Sequence, residues 1–198
     1  MTKNVKITLI AIAAIVLFFF MTFGGVYNKL VTAEEGVTSA WSQVENVYQR
    51  RADLVPNLVE TVKGYAAHER ETLQGVVDAR SKISQMNVSA DVIRDPNMLA
   101  QFQQAQGALS SALSRLMVVV ERYPDLKASQ NFLALQTQLE GTENRITVER
   151  KRFNDAAREF NTLRRVFPNV FIARMMGFGE KAYFTATEGA AQVPTVQF

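Results

Sequence analysis

The chain has 198 residues, 47% of them hydrophobic and 21% charged, with a formal charge of +3. Setting aside Lys3 and Lys6 leaves 20 basic residues against 19 acidic ones, a balance of +1. That balance excludes a nucleic-acid binder with a surplus basic face. The absence of cysteine excludes disulfides, thiolate metal sites and a cysteine nucleophile.

Residues 7–26, ITLIAIAAIVLFFFMTFGGV, carry no charged side chain. As a helix they span about 30 Å, the thickness of a bilayer's hydrocarbon core. Twelve of these residues are Ile, Leu, Val or Phe, which favours insertion by roughly 4 to 7 kcal/mol. The run reads as an uncleaved signal anchor. A cleavable signal peptide is the alternative, but its apolar region is normally about 7 to 15 residues, and Thr22-Phe23-Gly24 makes a poor cleavage site. Lys3 and Lys6 on one side, against only Lys29 before Glu45 on the other, place residues 1–6 in the cytoplasm. The large C-terminal part is then periplasmic or extracellular.

Residues 27–167 read as one helical domain, because apolar residues recur at steps of three and four. The stripes are Leu30, Val37, Trp41, Val44, Tyr48; then Val55, Leu58, Val62, Tyr65, Leu73, Val76, Ile83; then Leu99, Phe102, Leu109, Leu113, Leu116, Val120. The last runs Phe132, Leu135, Leu139, Ile146, Phe153, Phe160, Leu163, Phe167. Asp53 followed by Pro56 resembles a helix cap with proline in the first turn, so a chain reversal is expected between Arg51 and Asn57. The competing reading is a kink at Pro56 within one helix; the matched lengths of about 25, 30, 26 and 38 residues favour the reversal. Further breaks fall at 87–97 and at Tyr123-Pro124-Asp125. The expected fold is all-α: an N-terminal transmembrane helix at 7–26, then an antiparallel up-and-down four-helix bundle over 27–167. Residues 168–198 should form a short helix over Asn169–Met176, stopped at Gly177, and an extended tail. Phe171, Ile172, Met175, Met176, Phe178, Tyr183 and Phe184 need burial, most simply against the bundle.

Chemistry-bearing patterns are missing. His68 is the sole histidine; Thr72 stands where a zinc-protease motif needs its second, and no Glu-x-x-His pair exists. No serine sits in a nucleophile-elbow context, and Gly177-Phe178-Gly179 lacks the strand a phosphate loop needs. Glu34-Glu35 and Glu69/Glu71 do not face each other on a helix. No catalytic, cofactor-binding or metal-ligating residue is therefore assigned. Asn154 and Asn161, seven apart, share one edge of the last helix and either set register by hydrogen bonds or face water.

Several motifs are longer. They include Ala40-Trp41-Ser42, Gln49 through Val59 (QRRADLVPNLV) and Val62-Lys63-Gly64-Tyr65. Glu121 through Ala128 (ERYPDLKA), Asn131-Phe132, Leu139 through Ile146 (LEGTENRI), Gly177-Phe178 and Pro194-Thr195-Val196-Gln197-Phe198 complete the set. Together they resemble the LemA family over the whole chain, leader included. The resemblance implies a bacterial membrane-anchored helical bundle of the cell envelope with no catalytic residues. It also implies a partner class, envelope proteins with TPM-type domains.

The expected function is that of a non-enzymatic envelope scaffold or adaptor. The alternatives are a self-assembling membrane protein, with close approach at Ala11, Ala13, Ala14, Gly24 and Gly25, or an envelope enzyme of unknown chemistry. Val196 and Phe198 have the form that PDZ domains capture, such as those of envelope proteases; the favoured reading is that the tail folds back and they cover a seam of the bundle, because Phe178, Tyr183 and Phe184 already need burial.

Overall fold

The structure, a computed structural model, describes residues 3–86, 89 and 91–185, and the side chains in that range except those of 3–6, 8, 15, 18 and 19. The described residues form α1 (Lys3–Tyr65), α2 (Arg70–Ser84), α3 (Pro96–Val120), α4 (Pro124–Lys127), α5 (Gln130–Arg165) and α6 (Asn169–Met175), and no strand. The all-α expectation holds.

The reversal expected between Arg51 and Asn57 does not occur. Helix α1 runs 63 residues with Pro56 inside it, about 95 Å. Proline has no N–H, so the carbonyl four residues earlier loses its helical partner. Here that carbonyl belongs to Ala52, and Arg80 Nε from α2 donates to it at 2.9 Å. Asp53, whose position suggested a cap, instead accepts from the Gln49 side-chain amide Nε2 one turn back, at 2.8 Å. The turn comes ten residues later, at 66–69, where Ala66 and Glu69 N–H groups donate to Val62 and Ala66 carbonyls. Part of α1 therefore belongs to the apolar run, and its remaining length from Leu30 to Tyr65 matches the 36 residues of α5.

Asp95 caps α3, accepting from Asn97 N–H at 2.8 Å, with Pro96 in the first turn. Helix α2 ends early, and Val92 and Ile93 in the following loop fill the layer it vacates. Cross-links fix the directions. Ala52 meets Arg80; Arg51 meets Ser110 and Glu143; Trp41 meets Phe102 and Phe153. Helices α2 and α5 thus run opposite to α1 and α3.

All ten residues with the clearest core spacing are buried: Trp41, Val44, Leu58, Val62, Leu109, Leu113, Leu139, Ile146, Phe153 and Phe160. They do not form one core. Leu58, Val62, Leu109, Leu113 and Leu139 belong to a far cluster drawn from α1, α2, α3 and α5. Trp41, Val44, Ile146, Phe153 and Phe160 belong to a near cluster that also takes Phe178 and Phe184 from beyond α6.

Helix α6 stops at Gly177, whose φ of 76° is the left-handed conformation that glycine adopts without strain. Ile172, Phe178 and Phe184 are buried, as expected. Phe171, Met175, Met176 and Tyr183 are not: they stay 65%, 64%, 46% and 38% exposed. Among the described residues no helix is long and apolar enough to cross a membrane. The run 7–26 includes positions 8, 15, 18 and 19, whose side chains lie outside that set.

Candidate partner-binding site: an amide-clamped strap and a polar groove

Residues 178–185 form an extended strap laid antiparallel along α5. An extended chain needs its N–H and C=O groups satisfied, and among the described residues no second strand does so. Side-chain amides take that part. Asn161 Nδ2 donates to the Lys181 carbonyl at 2.8 Å, and Lys181 N–H donates to Asn161 Oδ1 at 3.0 Å. Asn154 does the same to Phe184, at 2.9 Å in both directions. The spacing explains why two asparagines seven apart serve. Two helical turns advance about 10.5 Å, and three extended residues advance about 10 Å. Gln103 on α3 continues the series on Thr185: its Nε2 donates to the carbonyl at 3.0 Å, and Thr185 N–H reaches its Oε1 at 3.5 Å. Arg150 also donates to that carbonyl, at 3.2 Å.

The strap carries a buried charge. Lys181 is 2% exposed, pairs with Glu34 at 2.5 Å and lies 5.2 Å from the centre of the Phe160 ring. Phe184 meanwhile enters an aromatic nest with Trp41 and Phe153, at ring separations of 6.0 and 5.5 Å. The Trp41 indole donates to Glu45 at 2.9 Å. Burial pushes the Glu45 carboxyl above its ordinary value, and this hydrogen bond works against the push.

Beyond Thr185 a groove of about 790 Å³ opens between α3 and α5. Its floor is a polar layer separating the two apolar clusters. Arg51, 2% exposed, donates to Ser110 at 2.9 Å, to Glu143 at 2.8 Å, and to the Gln106 side chain. Its guanidinium also lies 5.1 Å from the Tyr48 ring centre. Burial raises the Tyr48 hydroxyl above the usual phenol value, and the charges of Arg150 and Arg51 oppose it. Two buried donors, Arg51 Nε and Gln106 Nε2, have no acceptor among the described residues. The accessible lining, Gln104, Ser111 and Thr147 with the half-buried Gln103 and Arg150, offers amide, hydroxyl and guanidinium donors, which suits recognition of a peptide main chain or carboxylate.

His68 is exposed in the α1–α2 turn. No group of three or more His, Asp or Glu side chains gathers as a metal site among the described residues. Val196 and Phe198, the expected partner-binding residues, lie outside the described residues. Sequence reasoning singled out Asn154 and Asn161 but not Gln103, Lys181 or Arg51. The QRRADLVP segment contains Arg51, yet nothing local marks it as buried.

An all-α protein built on one long helix, with a C-terminal strap held by side-chain amides, is the class that these features define. The LemA family model matches residues 40–198. The chain belongs to the LemA family. It is similar to "Protein LemA" of Metamycoplasma hominis, 28% identical over 180 residues, covering 87% of this chain and 78% of that protein. It is also similar to "Magnetosome protein MamQ" of Magnetospirillum gryphiswaldense, 29% identical over 174 residues, covering 80% of this chain and 64% of that protein. "Magnetosome protein MamQ 2" of Paramagnetospirillum magneticum matches with the same identity and coverage. The chain thus spans just under two thirds of the length of these magnetosome relatives.

Proposed function

We propose that this chain is a non-enzymatic, membrane-anchored scaffold or adaptor of the bacterial envelope. Residues 7–26 cross the plasma membrane once, residues 1–6 stay in the cytoplasm, and an up-and-down four-helix bundle stands outside. The observation that carries this reading is the continuity of α1, which passes from the uncharged run into the bundle core without a break. Within the run Ile10, Leu17, Phe20 and Met21 are 69%, 63%, 68% and 71% exposed, with none of the described residues covering them. In water each such side chain forgoes about 1.5 to 3 kcal/mol of burial, which a bilayer supplies.

The docking face is the groove between α3 and α5, and its ligand is an extended peptide segment of another envelope protein. The accessible polar lining, Gln103, Gln104, Ser111 and Arg150, supports this, as does the strap, whose backbone is held by amides of the same two helices. A photo-crosslinker placed at Gln104 or Ser111, exposed positions lining the groove, should capture a reproducible heterologous protein in intact membranes. Ladders of the chain itself would replace this reading with self-assembly. Capture from Val118, at the far end of α3, with none from the groove would refute the choice of face.

A further inference from the structure

The end of α5 and helix α6 leave an apolar patch that the other described residues do not cover. Phe167 is 81% exposed, Phe171 65% and Met175 64%, and the two phenylalanine rings touch edge to face at 6.0 Å. Opposite them on α6, Ile172 and Ala173 are buried in the near cluster. The helix is thus amphipathic, with its larger apolar side facing outward.

Its height on the molecule decides what covers that side. Leu163 of α5 shares a cleft with Asn28 and Lys29 of α1, and α5 runs toward the apolar run. Helix α5 ends two residues further, at Arg165, about 3 Å lower, and the Tyr27 ring lies 5.9 Å from that of Phe178 just past α6, which sets α6 beside the last residues of the run. Phe23 and Val26 themselves pack against the cluster that holds Ile172 and Ala173. The exposed cations Lys29, Arg165 and Arg174 rim the patch and enter no ion pair among the described residues.

We infer that α6 and the turn before it form an interfacial foot, with Phe167, Phe171 and Met175 inserted into the headgroup–acyl boundary of the bilayer that α1 enters. Aromatic rings at this depth, with arginines beside them, match the composition of membrane–water interfaces. Arg165 and Arg174 reach lipid phosphates from there. A protein partner is the other candidate occupant, but the patch is continuous with the lipid-facing run and carries basic residues at its rim. The inference rests on reading 7–26 as a span.

The chain has no cysteine, so single-cysteine variants of the full chain report one position each. Spin labels at Ile10→Cys, Phe171→Cys and Val118→Cys, in vesicles of phosphatidylcholine with and without phosphatidylglycerol, are compared for collision with oxygen and with a water-soluble nickel complex. The expected oxygen-to-nickel ratio is highest at position 10, intermediate at 171 and lowest at 118. Phosphatidylglycerol should raise the value at 171 further. A water-like ratio at 171 with a membrane-like one at 10 overturns the foot and leaves the span intact. A water-like ratio at 10 overturns the span itself. Spin–spin broadening at 171, or shielding from both colliders, marks a protein contact and also overturns the foot.

Discussion

One long-range hydrogen bond, from Arg80 to the Ala52 carbonyl, lets α1 tolerate Pro56, and a double-mutant cycle tests that link. Arg80→Met removes the Nε donor and leaves the buried Ala52 carbonyl without a partner. A hydrogen bond from a charged donor to a buried acceptor contributes about 1.5 to 3 kcal/mol, so the single variant should lose that much. Pro56→Ala restores an N–H at the position that normally serves Ala52. In that background Arg80→Met should cost less than about 1 kcal/mol, because the carbonyl keeps its helical partner. The coupling between the two sites should be about 1 to 2 kcal/mol. Pro56→Ala alone should stabilise the protein, by less than the roughly 3 kcal/mol that separates proline from alanine in a free helix. Guanidinium unfolding of the full chain in mild detergent, followed by Trp41 fluorescence, measures all four proteins. Losses that add within about 0.3 to 0.5 kcal/mol would refute the compensation. The continuous helix would then need another explanation.

Three further outcomes are expected. Phe153→Ala and Phe160→Ala, both at fully buried rings, should each destabilise by about 3 to 5 kcal/mol in the same unfolding assay. Asn161→Ala leaves the buried N–H and C=O of Lys181 unpaired; it should lose about 2 to 4 kcal/mol and expose the 178–185 strap to limited proteolysis before the helices are cut. Glu45 has a raised carboxyl value in the folded state, so its protonated form favours folding, and that contribution is lost as the pH rises through the folded value. Glu45→Gln, which can still accept from Trp41, should therefore raise the melting temperature at pH 7, and the gain should vanish below the unfolded carboxyl value of 4.5.

Helical spacing alone located Trp41, Val44, Phe153 and Phe160, because a stripe that repeats every three or four residues has one dry face. It could not locate the first turn. The Asp53–Pro56 pattern is locally the same in a cap and in a helix interior; the difference is Arg80, twenty-eight residues from the Ala52 carbonyl that it meets. Asn154 and Asn161 were legible as a pair sharing an edge. Their ligand was not, since the strap has no periodicity of its own. The aromatic residues after α5 gave a third kind of error. Composition announces that Phe171 and Met175 avoid water, but says nothing of whether protein or lipid shields them. Arg51 was hidden because its burial depends on acceptors from α3 and α5 meeting it at one level.

The division of the interior into two clusters also sets an order of assembly. The far cluster is closed by residues between Val55 and Leu139, all of which have left the ribosome well before the chain is finished. The near cluster draws on Leu30 at one extreme and Phe184 at the other, so its contacts carry the largest loop-closure entropy in the molecule. During synthesis Trp41 waits for Phe102, then Phe153, then Phe184. A chain halted anywhere before the strap leaves that indole partly uncovered, beside the most apolar segment of the sequence. The half that adjoins the apolar run is the last to close.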